Sequence, residues 1–170
     1  MSEAMRRRFL REKEAQQLIT EFSQKLKIDI KQLLDIKRLR VEVSETPTAK
    51  IFFIDAKPLI ANLKDVMLPT LQFDKALQLL PKIIVNMGAV SYVCNGADIM
   101  APGIVKIEGK FNPNDYVLVI DERHRKPLAI AVALTDSQMA LSLRRGKAAK
   151  NMHYVGDSLW NQLKAQEKNQ

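Results

Sequence analysis

The apolar runs in the second half of the chain are short, and each is closed by glycine, proline or a polar turn. Ile83-Ile84-Val85, Ile104 to Ile107, Tyr116-Val117-Leu118-Val119-Ile120 and Leu128 to Leu134 are punctuated by Gly88, Gly96, Pro102-Gly103, Gly109 and the polar stretch Asp121 to Pro127. None leaves room for a long helix. Short strands at regular spacing predict a small barrel or sandwich. Tyr116–Ile120 and Leu128–Leu134 read as hairpin partners, and Asn151 to Val155 as the closing strand. Two helical turns interrupt them. One runs from Ala89 to Cys94, with Gly96 at its C′ position. The other is capped by Asp136 or Ser137 and contains Met139 and Leu141.

The first half has a different texture. Ala15, Leu18, Ile19, Phe22 and Leu26 recur at the spacing of one helical face, which predicts a helix over Glu12 to Leu26. Asp29 is an N-cap for a short helix carrying Ile30, Leu33, Leu34 and Ile36. Leu39-Arg40-Val41-Glu42-Val43 alternates strictly and reads as a half-buried strand. Ser44 to Thr48 is turn chemistry. Ile51-Phe52-Phe53-Ile54 is a second strand, and Leu59 to Leu63 pairs back after the Asp55–Pro58 turn. Pro69-Thr70 starts a helix that Pro81 ends. The expected fold is α+β: residues 1–81 form an α+β domain, 82–162 a β-barrel, and 163–170 a polar tail that frays. No Gly/Ser-rich linker separates the halves, so they are expected to pack as one rigid body.

The chain has 170 residues and a formal net charge of +8. Excess positive charge favours polyanions, because neutralising phosphates releases counterions. No run of about 18 apolar residues occurs, so no membrane helix is expected. The N-terminus carries charge without an apolar region behind it, so it is not a signal peptide, and a cytoplasmic protein is expected. The single cysteine, Cys94, excludes an internal disulfide and reads as a buried small side chain. With two histidines, His124 and His153, far apart in sequence, no zinc-finger ligand set forms. There is no P-loop, no GxGxxG after a strand and no serine in a nucleophile elbow. Asp121 and Glu122 are neighbours on a strand end and point to opposite faces, so they are poor partners for acid/base work and read as hairpin solvation. The expectation is a protein that is not an enzyme and needs no cofactor or metal.

The most informative stretch is Tyr92-Val93-Cys94-Asn95-Gly96-Ala97-Asp98-Ile99-Met100-Ala101-Pro102-Gly103-Ile104. A helical turn ends at a glycine, a small residue follows, and a Pro-Gly turn comes after an apolar pair. Small residues let a ligand approach the backbone, and exposed amide N–H groups hold phosphate or a base edge. The stretch resembles the PUA domain, the module named after pseudouridine synthases and archaeosine transglycosylases. Gly88-Ala89, Asn114-Asp115-Tyr116-Val117 (with Asn114 where that family usually has glycine), Asp136-Ser137, Gly146-Lys147-Ala148 and His153 to Trp160 match it in register. The ending Asn151 to Trp160, with Leu68-Pro69-Thr70-Leu71 upstream, resembles the malignant T-cell-amplified sequence family and its archaeal relatives. That resemblance implies a pre-PUA α+β domain followed by PUA. It also implies a translation-linked RNA binder, since the eukaryotic members work with density-regulated protein on the small ribosomal subunit, in unconventional initiation, reinitiation and release of deacylated tRNA.

The resemblance carries over Gly96, Ala97, Asp98, Met100, Pro102 and Gly103 as the RNA-facing loop. Ala101 departs from relatives with a larger or different residue there. Asp98 accepts from a base amino group or makes an Asx-type turn. Arg144, Arg145, Lys147 and Lys150, with Gly146 and Asn151, form a basic loop before the closing strand: a phosphate cradle or a solvated helix end. Arg123, Arg125 and Lys126 are a weaker cluster on a hairpin tip. Arg6-Arg7-Arg8 with Arg11 are a solvated terminus or a phosphate contact. Tyr154 and Trp160 pack or stack a base, with packing the commoner role, and His153 is structural. The expected partners are ribosomal RNA or a tRNA acceptor end, the small ribosomal subunit and a second translation factor, bound by a monomer with no membrane contact. The alternative is an accessory protein that targets RNA for tRNA or rRNA modification.

Overall fold

Helix α1 (Glu12–Leu26) forms where the apolar face predicts it, and Ala15, Ile19, Phe22 and Leu26 are its buried residues. Glu12 and Glu14 in its first turn suit the positive end of the helix dipole. The Glu14 carboxylate also accepts the Arg11 backbone N–H at 2.9 Å. Lys27, left-handed at φ 59°, ends the helix. Asp29 caps α2 (Ile30–Leu34), its carboxylate accepting from the Gln32 N–H at 3.1 Å.

The structure, a computed structural model, describes residues 6–168, which divide into two units: 6–79 with 161–168, and 80–160. In the first unit β1 (Arg7–Phe9), β2 (Val41–Glu45), β3 (Lys50–Ile54), β4 (Lys57–Leu63) and β5 (Val66–Pro69) form one antiparallel sheet in chain order. Two tight turns join β3 to β4 and β4 to β5. Asp55, Ala56, Lys64 and Asp65 all take positive φ there, the handedness that matches strand twist. Ile51, Phe53, Ile60, Leu68 and Phe73 are fully buried in this unit.

Three expectations change here. Pro69 does not start a helix: it ends β5, opposite Ile60, and helix α3 (Asp74–Leu79) begins later. A proline is tolerated because β5 is the outer strand. The buried Thr70 hydroxyl then donates to Pro58 O at 2.7 Å and makes the corner. Nor is the arginine-rich start a solvated terminus at Arg7. That guanidinium lies 3.8 Å from the Phe53 ring centroid and donates to Gln166 Oε1 at 3.2 Å, inside a paired strand. The polar tail is the third: residues 163–168 continue helix α6 (Ser158–Lys168). Leu159 and Leu163, four residues apart, are both buried, and burying such a side chain contributes about 1.5–3 kcal/mol.

The second unit holds β6 (Lys82–Val85), β7 (Ile99–Met100), β8 (Ile104–Glu108), β9 (Tyr116–Asp121), β10 (Pro127–Ala133) and β11 (Lys147–Tyr154). Their order is β7-β11-β10-β9-β6-β8, one sheet whose edges are β7 and β8. The β6–β9 pairing is parallel and the rest antiparallel. Helices α4 (Met87–Val93) and α5 (Ser137–Ser142) complete the unit. Ala129, Ala131, Ala133, Ala148 and Ala149 join Ile83, Val85, Val117 and Val119 in the core. The closing strand is longer than the sequence predicts, so Lys147 and Lys150 belong to β11 and not to a loop. Asp121 corrects the reading of hairpin solvation. It is buried, and its carboxylate accepts the backbone N–H groups of Arg123, His124 and Lys126.

Candidate nucleic-acid interface

The loop from Cys94 to Gly103 is fixed at both ends by short polar contacts. Asn86 caps α4, its Oδ1 accepting the Ala89 N–H at 3.0 Å, while its own N–H donates to Gly103 O at 2.9 Å. Helix α4 therefore starts one residue before Gly88. A β-carbon on Gly103 would lie 3.3 Å from the Ala89 methyl. That contact explains why small residues stand at Ala89 and Gly103. Past the helix, the Ala97 N–H donates to Tyr92 O at 3.0 Å, and Gly96 turns the chain at φ 93°.

Strand β11 supplies the other side. Met100 stands opposite Lys147 and Ile99 opposite Ala149, and the Ala101 N–H donates to Gly146 O at 2.9 Å. Asn151 Nδ2 donates to Val93 O and Ala97 O, both at 3.0 Å, so this side chain holds the loop shut. Asp98 Oδ1 accepts the Asn151 backbone N–H at 3.0 Å, and its Oδ2 lies 2.9 Å from Lys147 Nζ. The Asx-type turn expected of Asp98 gives way to this link across 53 residues of chain. Burial alone would push the Asp98 pKa up, yet hydrogen bonds from Lys147 and Asn151 and the charges of Lys147 and Lys150 hold it below the ordinary carboxylate value.

The sequence-expected residues thus converge in one place. Gly96, Ala97, Asp98, Met100, Pro102 and Gly103 form one side, and Lys147, Lys150 and Asn151 the other. Arg144 and Arg145 are exposed on the bend that leads into Gly146. Roles divide within the set: Asn151 and Asp98 bind the loop together, and Lys147 is neutralised by Asp98. Among the described residues no ion pair engages Arg144, Arg145 or Lys150. On the hairpin tip, by contrast, Arg125 makes a two-pronged contact to Glu108 at 2.9 and 2.8 Å.

Tyr92 was not singled out by sequence reasoning, yet its side chain is 70% exposed beside this loop. It hides within an apolar run. The helical period would have found it, since Val93 is the buried residue and Tyr92 sits about 100° away on the helix. Met100 adds a second exposed apolar side chain at 44%. Tyr154 packs against the core cluster instead, under Gly96. His153 is fully buried, 2.8 Å from Asp157 through Nδ1. Cys94 is half-buried, and burial pushes its thiol pKa up, away from reactivity.

Residues 81–155 match the PUA domain, and residues 6–73 match a domain of unknown function, DUF1947. The protein MJ1432 of Methanocaldococcus jannaschii is 38% identical over 128 residues, which cover 74% of this chain and 78% of that one. Translation machinery-associated protein 20 of Eremothecium gossypii is 31% identical over 102 residues, 56% of each chain. Among solved structures, protein PH0734.1 of Pyrococcus horikoshii superposes with a TM-score of 0.77 at 31% identity, covering 93% of this chain and 99% of that one. The chain spans about half the length of the eukaryotic relatives it matches. The chain belongs to the family of PUA proteins with a DUF1947 region ahead of the PUA domain, whose homologues include MJ1432, translation machinery-associated protein 20 and the malignant T-cell-amplified sequence proteins.

Proposed function

We propose that the protein is an RNA-binding translation factor whose PUA unit docks on structured RNA. The observation that carries this reading is the exposure of Arg144 and Arg145 on the bend into Gly146, whose carbonyl accepts the Ala101 N–H of the Gly96–Gly103 loop, with Lys150 on the strand beside it and no ion pair to any of the three among the described residues. Exposed cations outside close ion pairs are available to phosphate. The exposed ring of Tyr92 offers a face for an unpaired base. Single-stranded ends and loops are the usual targets of such a combination. A tRNA acceptor end or an rRNA loop of the small subunit has that chemistry. The relative whose name ties it to the translation machinery supports a role in initiation, reinitiation or recycling. In this reading the protein is cytoplasmic, acts by binding and not by catalysis, and works beside a second translation factor.

The test is RNA affinity of the full chain against salt, with tRNA and small-subunit rRNA fragments as ligands. The variant Arg144→Ala/Arg145→Ala/Lys150→Ala leaves the Asp98–Lys147 pair intact. It is expected to lose about tenfold in affinity, with a shallower salt dependence. Unchanged binding by a folded triple variant defeats the site. Co-purification with an RNA-modifying enzyme, and not with small ribosomal subunits, would select the RNA-targeting alternative.

A further inference from the structure

The N-terminal unit carries a basic surface of its own. Strand β1 is an outer strand of its sheet. Arg7 on it is consumed by Phe53 and Gln166. Phe9, two residues on and therefore on the same face, is 56% exposed. The Arg40 guanidinium lies 4.7 Å from the centroid of the Phe9 ring. Both border a groove of about 550 Å³ that Lys37 and Arg38 also line. Two carboxylates are near: Glu12 lines the groove, and Glu42 stands opposite Phe9 in register. Among the described residues neither is ion-paired to Lys37, Arg38 or Arg40.

A solvated charged face has no need of a bare aromatic ring. A flat ring with a guanidinium stacked on it is a platform of the width a nucleobase covers. Lysine and arginine beside it suit the phosphates of the same strand. An acidic peptide would use the cations and leave the ring in water. We infer that the groove of Phe9, Lys37, Arg38 and Arg40 is a contact site for single-stranded RNA, one base lying on the Phe9–Arg40 stack and its phosphates on Lys37 and Arg38. The groove is built from residues of the first unit alone.

The experiment measures binding of the full chain to a labelled single-stranded RNA of about fifteen nucleotides, and to the same backbone with abasic residues. Lys37→Ala/Arg38→Ala is expected to lose about tenfold on both probes, with the salt slope reduced by about 1.4. Phe9→Ala is expected to lose about fivefold on RNA and nothing on the abasic strand, and Phe9→Tyr to restore binding. Wild-type affinity and slope in both groove variants would overturn the inference. So would an equal loss by Phe9→Ala on both probes, or poly-glutamate competing as well as RNA. The triple variant Arg144→Ala/Arg145→Ala/Lys150→Ala run alongside separates the two sites. Loss there alone removes the groove and keeps the PUA reading, and loss in the groove variants alone does the reverse.

Discussion

Gly96 rests on the ring of Tyr154: a β-carbon on Gly96 would stand 3.1 Å from the Tyr154 hydroxyl oxygen and 3.2 Å from two ring carbons. Two constraints therefore meet at one residue, the positive φ of 93° and the close ring. Gly96→Ala is expected to cost about 1–2 kcal/mol, a fall of roughly 2–8 °C in melting temperature. Adding Tyr154→Leu relieves the contact but not the backbone conformation. Thermal unfolding of the double variant should recover only part of the loss, and full recovery would show that φ is not the main constraint.

Asp98 pairs with the exposed Lys147. Asp98→Asn leaves an acceptor for the Asn151 N–H and removes the charge at 2.9 Å from Lys147. RNA affinity is expected to rise several-fold, and the salt slope to steepen by about one. A fall in affinity would instead mean that the carboxylate accepts from a base.

Tyr92 is exposed on α4, and its backbone carbonyl accepts the Ala97 N–H of the loop. Tyr92→Ala is expected to weaken binding of an RNA with an unpaired end by about fivefold and to leave a blunt duplex of the same sequence unchanged. Equal weakening on both ligands would rule out stacking. Stability should move little, since the residue is not in the core.

Asp157 joins a buried histidine to the start of α6. Its carboxylate accepts the Trp160 N–H at 2.7 Å and the Tyr154 N–H at 2.9 Å, and contacts His153 at 2.8 Å. Burial pushes its pKa up, but these partners together bring it below the ordinary value. A lowered folded-state pKa means stability that is present above the unfolded value, about 3.9, and lost as pH falls through the lower folded value. Denaturant midpoints of the wild type should therefore drop below about pH 4. Asp157→Ala should be less stable at pH 7 by about 1–2 kcal/mol and show a flatter acid limb.

Thr70 is buried, donates to Pro58 O and accepts from the Gln72 N–H. Thr70→Val keeps the shape and leaves both backbone groups without that partner. Urea unfolding should show a loss of about 1–3 kcal/mol, whereas Thr70→Ser should stay close to wild type.

The sequence made local structure legible where the signal was local. The apolar face from Ala15 to Leu26 gave α1 with accurate bounds, and the Asp29 cap gave the start of α2, which stops at Leu34 short of Ile36 because Asp35 turns left-handed. The glycine and proline punctuation after Lys82 announced a sheet of short strands. Pairings across long stretches were not visible. Strand β7 has two residues and exists because β11 lies beside it. Arg7 reads as a terminal charge until Phe53 and Gln166 are brought to it. Pro69 carries a helix-start signal that the outer position of β5 overrides. In the candidate site the residue set was legible and its division of labour was not. That Lys147 is spent on Asp98, and that Asn151 works through Val93 and Ala97, depends on contacts more than 45 residues apart in sequence.

The Asn151 clasp has a consequence for recognition kinetics. Each residue that a ligand must freeze costs about 1–2 kcal/mol of backbone entropy, and here that cost is met during folding. Free and bound loops should superpose, amide exchange at Gly96 and Ala97 should be slow before any RNA arrives, and encounter should resemble two finished surfaces meeting. Discrimination then falls to fit: an RNA of the wrong contour finds nothing that bends to receive it.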